Sequence, residues 1–190
     1  MGSRCALLSV LFLGVMTTHF SAGLIKYKDV ISGDEMFSDM YKIEVKKFYD
    51  YDLFYEVEGR MVTPEFDNPE YDMSLPGEDP VYRVVYRAVD IVLDHHLQQT
   101  NFTKDQYFTY IKEYGSKIAM RLHTDRVRIK FRGALEHGMK TLILGHFKDW
   151  EFFTGESKNS EGMVALLNYR SDDVTPYMLF IKDGLEEEKA

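Results

Sequence analysis

The chain has 190 residues, 45% of them hydrophobic and 28% charged, enough for one globular domain with a real core. A formal net charge of −8 argues against bulk binding to nucleic acid or to anionic membrane surfaces. The lone cysteine, Cys5, falls in an N-terminal apolar run, so a chain that loses that run has no disulfide, thiolate zinc site or cysteine nucleophile.

The chain opens with Arg4 followed by an apolar stretch from Cys5 to about Thr17, then the small residues Ser21, Ala22 and Gly23. This is the pattern of a cleavable secretory signal, with the cut between Gly23 and Leu24. The run is too short to span a bilayer, which needs ~20 apolar residues. Residues 1–23 are therefore read as a signal peptide and 24–190 as the mature domain, secreted and without a membrane span. On that route Asn101-Phe102-Thr103 becomes an N-glycosylation candidate at Asn101.

From Leu24 to Val62 the pattern predicts short strands. Tyr41, Ile43 and Val45 alternate with Lys42, Glu44 and Lys46, and Phe54, Tyr55, Val57 and Met61 form a second run. Gly33–Asp34 and Asp50–Asp52 are the expected turns. Residues 64–80 hold four of the five prolines and six carboxylates with no basic residue, which predicts an acidic mobile loop. Val81 to Leu93, rich in β-branched residues, is expected to be a strand.

Thr103-Lys104-Asp105-Gln106 is a capping box, with Phe102 and Tyr107 placed as a hydrophobic staple. Tyr107, Tyr110, Ile111, Tyr114, Ile118 and Leu122 then recur at helical spacing. A second amphipathic helix follows, with Phe131, Leu135, Met139, Leu142 and Ile143 on one face, weakened by Gly133 and Gly138. The two helices should pack as an antiparallel hairpin over about 103–146. Its outer face is basic: Lys112, Lys117, Arg121, Arg126, Arg128, Lys130 and Arg132. That face is a candidate site for an acidic protein surface rather than for nucleic acid. Beyond Phe147 the chain returns to strands at Met163–Tyr169 and Tyr177–Ile181.

No phosphate loop, nucleophile elbow or spaced His/carboxylate motif is present, so the chain reads as a non-enzyme. His95 and His96, adjacent in an expected strand, point to opposite faces and do not make a metal pair. Asp172 and Asp173 are candidates for weak, irregular calcium binding, since EF-hand spacing is absent.

Three stretches resemble the translationally controlled tumour protein family, also called histamine-releasing factor or fortilin. They are DVISGDEMFSDMYKIEV from Asp29, VDIVLDHHLQQTNFTKDQY from Val89, and FFTGESKNSEGMVALLNYRSDDVTPYMLFIKDGLEEEK from Phe152. The resemblance implies an α+β fold: a tent-like, twisted, mainly antiparallel sheet core of the Mss4-like type, with a protruding helical hairpin and a mobile acidic loop. It implies a binding protein with no required cofactor beyond weakly bound calcium. Glu35 takes the position of the family's carboxylate for small-GTPase contact, and the basic hairpin that for tubulin. The family's signature after the acidic loop is replaced by Leu75 to Pro80, and its terminal cysteine by Ala190. A secreted copy would meet an extracellular receptor or immune factor and act in a cytokine-like or host-interaction role. The alternative is a cytosolic calcium-, tubulin- and small-GTPase-binding chaperone-like protein.

Overall fold

A computed structural model describes residues 23–63 and 87–189. The expected signal segment up to residue 22, the acidic loop at 64–80, the 81–86 part of the expected strand and Ala190 lie outside the described residues.

Strands β1 (Ile25–Asp29) and β2 (Glu35–Ser38) form a hairpin. Its turn uses Gly33 at φ +77°, a left-handed conformation that glycine adopts without penalty. β3 (Lys42–Phe48) and β4 (Tyr51–Glu58) follow, joined by Tyr49 and Asp50 at φ +47° and +57°. Two consecutive left-handed residues match the twist of a two-residue hairpin. The expected turn thus begins at Tyr49, and Asp52 already lies in β4. Along β3 only part of the alternation becomes burial: Ile43 is half-buried and Val45 exposed, as suits an edge strand.

The short pair β5 (Met61–Val62) and β6 (Ala88–Val89) leads into helix α1 (Asp90–Asp94). The expected strand therefore ends at Val89. Asp90 Oδ1 accepts from the backbone N–H of Arg60 and of Ile91, both at 2.8 Å, which starts a turn at that point. A short apolar run does not distinguish strand from helix by periodicity, and here the local carboxylate decides. β7 (Gln98–Thr100) then precedes the hairpin.

The helical hairpin is α2 (Lys104–Arg121) and α3 (Asp125–Gly138), and the helix continues as a π-turn over Met139–Leu144. The capping box forms in both directions: Gln106 N donates to Thr103 Oγ1 at 3.3 Å, and Thr103 N to Gln106 Oε1 at 2.9 Å. The staple aromatics Phe102 and Tyr107 meet edge to face at 5.7 Å. Thr124 caps α3 by accepting from Val127 N. Gly138 does more than lower helix propensity. A Cβ there would meet Leu53 Cδ2 at 2.8 Å, so its absence lets α3 lie close on β4.

The remaining strands are β8 (Glu151–Thr154), β9 (Ala165–Tyr169), β10 (Pro176–Ile181) and β11 (Leu185–Lys189). They complete two larger antiparallel sheets, β11-β1-β2 and β3-β4-β10-β9-β8-β7. The acidic tail is thus a strand that hydrophobic patterning could not reveal. Its four outer residues are exposed, and it is held by register with β1, including a Lys28–Glu188 ion pair. One core joins sheets and hairpin: Phe37, Leu53, Phe54 and Phe180 from strands, and Tyr107, Ile118, Phe131 and Ile143 from helices.

Candidate partner-binding surfaces

The Asp29–Asp39 stretch carries four carboxylates that the fold uses very differently. Asp29 is fully buried. Its Oδ1 accepts from the Tyr114 hydroxyl at 2.9 Å, and its Oδ2 accepts from the backbone of Ser32 and Met163, each at 2.9 Å. Asp34 receives the Ser157 hydroxyl at 2.6 Å. Both carboxylates therefore bind the β1–β2 turn to the 155–163 segment. Gly155 and Gly162 stand in that segment because a Cβ at either would strike Asp34 or Asp29. Asp39 accepts from Ile25 N at the strand start.

Glu35 is the exception. It stands at the start of β2 with its side chain 28% exposed, held by Lys26 Nζ at 2.7 Å and by His95 Nδ1 at 2.9 Å. Partial burial pushes its carboxyl up, but the bonds from Lys26 and His95 outweigh this and hold it below the usual range. His95 is shifted down as well, because burial disfavours its cation more than Glu35 favours it. A neutral imidazole donating from Nδ1 to the carboxylate leaves Nε2 as an acceptor, and that buried nitrogen has no partner among the described residues.

The expectation that His95 and His96 occupy a strand is corrected here. They close the C-terminus of α1, with His96 exposed at φ +52° and His95 buried against β2. The pairing of His95 with Glu35, sixty positions apart in the chain, had no local signal.

A cleft of about 540 Å³ adjoins this pair. Tyr41 connects the two: its ring stands edge-on to His95, and its hydroxyl donates to Asp94 at 2.5 Å. Two side chains that sequence reasoning passed over, Met40 and Val174, line the cleft while 71% and 65% exposed.

The basic hairpin residues divide into two groups. Lys117 reaches Glu161 at 3.0 Å, and Arg128 pairs with Asp125 at 2.8 Å while donating to the Leu122 carbonyl. Lys112 lies 3.9 Å from the Phe108 ring centroid. Arg121, Arg126, Lys130 and Arg132 are exposed and make no ion pair among the described residues. The free cations thus gather around the hairpin tip and along α3. Asn101 is exposed just ahead of α2. Gly23 is exposed and Leu24 half-buried, immediately before β1.

Asp172 is spent on its own turn. It accepts from Thr175 Oγ1 at 2.6 Å and from the backbone of Val174 and Thr175, which lowers its pKa to about 2. Among the described residues no group of three or more His, Cys, Asp or Glu side chains is placed to hold a metal. No described helix is long and apolar enough to cross a membrane.

The model of the family described as translationally controlled tumour protein matches residues 24–186. The chain belongs to the translationally controlled tumour protein family. It is 48% identical over 178 residues to the human translationally-controlled tumor protein, covering 87% of this chain and 99% of that one. The homologue from Branchiostoma belcheri is 46% identical over 173 residues, with the same coverage. Among solved structures, the family protein of Schizosaccharomyces pombe superposes with a TM-score of 0.71 at 36% identity, across 87% of this chain and 99% of its own. That of Caenorhabditis elegans gives 0.59 at 27% identity, across 87% and 98%. The fold is the expected Mss4-like α+β arrangement of twisted antiparallel sheets with a helical hairpin, and the chain is a non-enzymatic binding protein of this family.

Proposed function

We propose that this chain binds protein partners through two separate surfaces. The edge around Glu35 receives a Ras-like small GTPase, and the basic hairpin receives an acidic protein surface such as that of tubulin. One observation carries the reading: of the four carboxylates in its stretch, Glu35 is the one held by basic side chains, Lys26 and His95, while still 28% exposed. A carboxylate already held by Lys26 and His95 needs little further ordering to accept a partner's donor. Exposed Met40 and Val174, in the cleft that Tyr41 links to His95, supply the apolar contact that a protein interface needs at its centre. On the hairpin, Arg121, Arg126 and Lys130 are the contact residues in this reading, with Lys112, Lys117 and Arg128 supporting them. Weak calcium binding belongs to the same reading but is assigned to no side chain, since Asp172 is occupied by its turn. The test is nucleotide exchange and pull-down with a purified Ras-like GTPase. Loss of binding in Glu35→Ala, with Asp39→Ala unaffected, supports the reading; equal binding by both variants sinks it.

A second reading concerns location. The family match starts at residue 24, directly behind the apolar run and small residues of the expected signal. In this reading the mature chain starts at Leu24 and is exported, the exposed Asn101 carries a glycan, and the partner is an extracellular receptor or immune factor. Mass spectrometry of medium and lysate from expressing cells separates the two. A chain in the medium that begins at Leu24 removes cytosolic partners, whereas an intact N-terminus in the lysate with bare Asn101 removes export.

A further inference from the structure

Between α2 and α3 lies a groove of about 620 Å³. Its floor is apolar: Ile111, Leu135 and Met139, each more than nine-tenths buried. The helices come close at Gly115, where a Cβ would meet Leu135. Phe108 stands at one end of the groove, 38% exposed. The apolar surface continues past the other end. Met120 follows Ser116 by one helical turn and Ile129 precedes Arg132 by about one turn, so both extend the groove's two walls toward the hairpin tip. They are 73% and 72% exposed, the most exposed large apolar side chains of the described residues.

The rim has one prevailing sign. Lys112, Arg132 and Lys140 border the groove against a single carboxylate, Glu136, which Lys140 already holds at 2.6 Å. On a chain with a formal net charge of −8, an apolar trough edged by cations is a local inversion. We infer that this groove is a docking site for an amphipathic helix of an acidic partner protein, with its apolar side chains on the floor and its carboxylates against Lys112 and Arg132. The inference rests on the reading that the hairpin's basic face meets a protein, and adds the mode and chemistry of that meeting.

The geometry favours a helix over other occupants. A trough between two helices accepts a rod whose apolar residues recur every three or four positions. A bilayer is flat and cannot reach a concave floor. A second copy would present the same cationic rim, and like charges facing each other oppose that pairing. Burial of Met120 and Ile129 by the partner would remove the exposed apolar surface at the tip.

The test uses the full chain and fluorescence anisotropy. The probe is a labelled peptide of about 18 residues, five helical turns, with leucines at i, i+3, i+4 and i+7 spacing and glutamates elsewhere. A second peptide has the same composition scrambled to destroy the stripe. The expected result is saturable binding of the striped peptide alone, weakened at least about tenfold by Ser116→Trp, which fills the groove, and by Arg132→Glu, which reverses its rim. Lys148→Glu, a charge reversal outside the groove, should leave it unchanged. Both groove variants change exposed positions, and their helicity is checked by circular dichroism. Equal binding of both peptides, sensitive to Arg132→Glu but not to Ser116→Trp, would keep the basic face as a partner surface and overturn the groove. Absence of peptide binding overturns it too. So does a dimer abolished by Arg132→Glu in light scattering, or capture by phosphatidylserine vesicles that Ser116→Trp prevents.

Discussion

The β1–β2 edge and the helical hairpin are both densely charged, yet they use charge in opposite ways. At the edge, Asp29 is buried and Asp34 half-buried, and both are consumed by hydroxyl and backbone donors. On the hairpin, Arg121, Arg126, Lys130 and Arg132 face water with no ion pair among the described residues. Charges of the first kind are structural, since removing one breaks a tie between the β1–β2 turn and a distant segment of the chain. Charges of the second kind cost little to change and are available to partners. Glu35 sits between the two, anchored on one side and open on the other.

This contrast is sharpest at Asp29. Asp29→Ala leaves the Tyr114 hydroxyl and two backbone N–H groups without their acceptor, and should destabilise the fold by about 3–5 kcal/mol. Urea denaturation would check it, and a loss under 1 kcal/mol, marginal on this scale, would break the structural assignment. Next is Gly155→Ala, whose methyl must displace the Asp34 carboxylate. A cost of about 1–3 kcal/mol is expected from such overpacking, measured in the same way.

The intermediate character of Glu35 predicts a pH effect. Both groups of the pair have lowered pKa values in the folded state, so the unfolded chain binds more protons in the intervening windows. For His95, stability is fully present above its unfolded value of about 6.5 and is lost as pH falls toward its lower folded value. For Glu35 the same loss begins below its ordinary value of 4.5. His95→Asn keeps a donor near the Nδ1 position but does not titrate. It should flatten the melting-temperature profile between pH 7 and 5 and leave the more acidic limb in place. An unchanged slope in that window would show that His95 is not the titrating group.

The smallest effect belongs to the hairpin. Lys117→Ala removes an exposed pair with Glu161 and should change stability by less than about 0.5 kcal/mol, measurable as a near-unchanged urea midpoint. A larger loss would move Lys117 to the structural class and blur the comparison.

The hairpin was the most legible part of the chain. Capping box, staple and apolar spacing all act within a few residues, and each reappears in the structure. The regions that the sequence misassigns or leaves unassigned lack such signals. Asp90–Asp94 is helical because Asp90 binds two backbone N–H groups, one of them from Arg60. Strand β11 carries three consecutive glutamates and exists through its register with β1. Glu35 was identified as a candidate by resemblance, while its anchors Lys26 and His95 and the cleft residues Met40 and Val174 were not.

The amino-acid sequence by itself determined this protein's family, its α+β class, the ends of its hairpin and the basic character of that hairpin, because these rest on local periodicity, capping and motif. Only the tertiary structure decided which charges are spent and which are free. That depends on partners such as Tyr114 for Asp29 and His95 for Glu35, which are distant in the chain and adjacent only when folded. The apolar groove belongs with these, since a groove is made by the approach of two helices and is a property of neither alone.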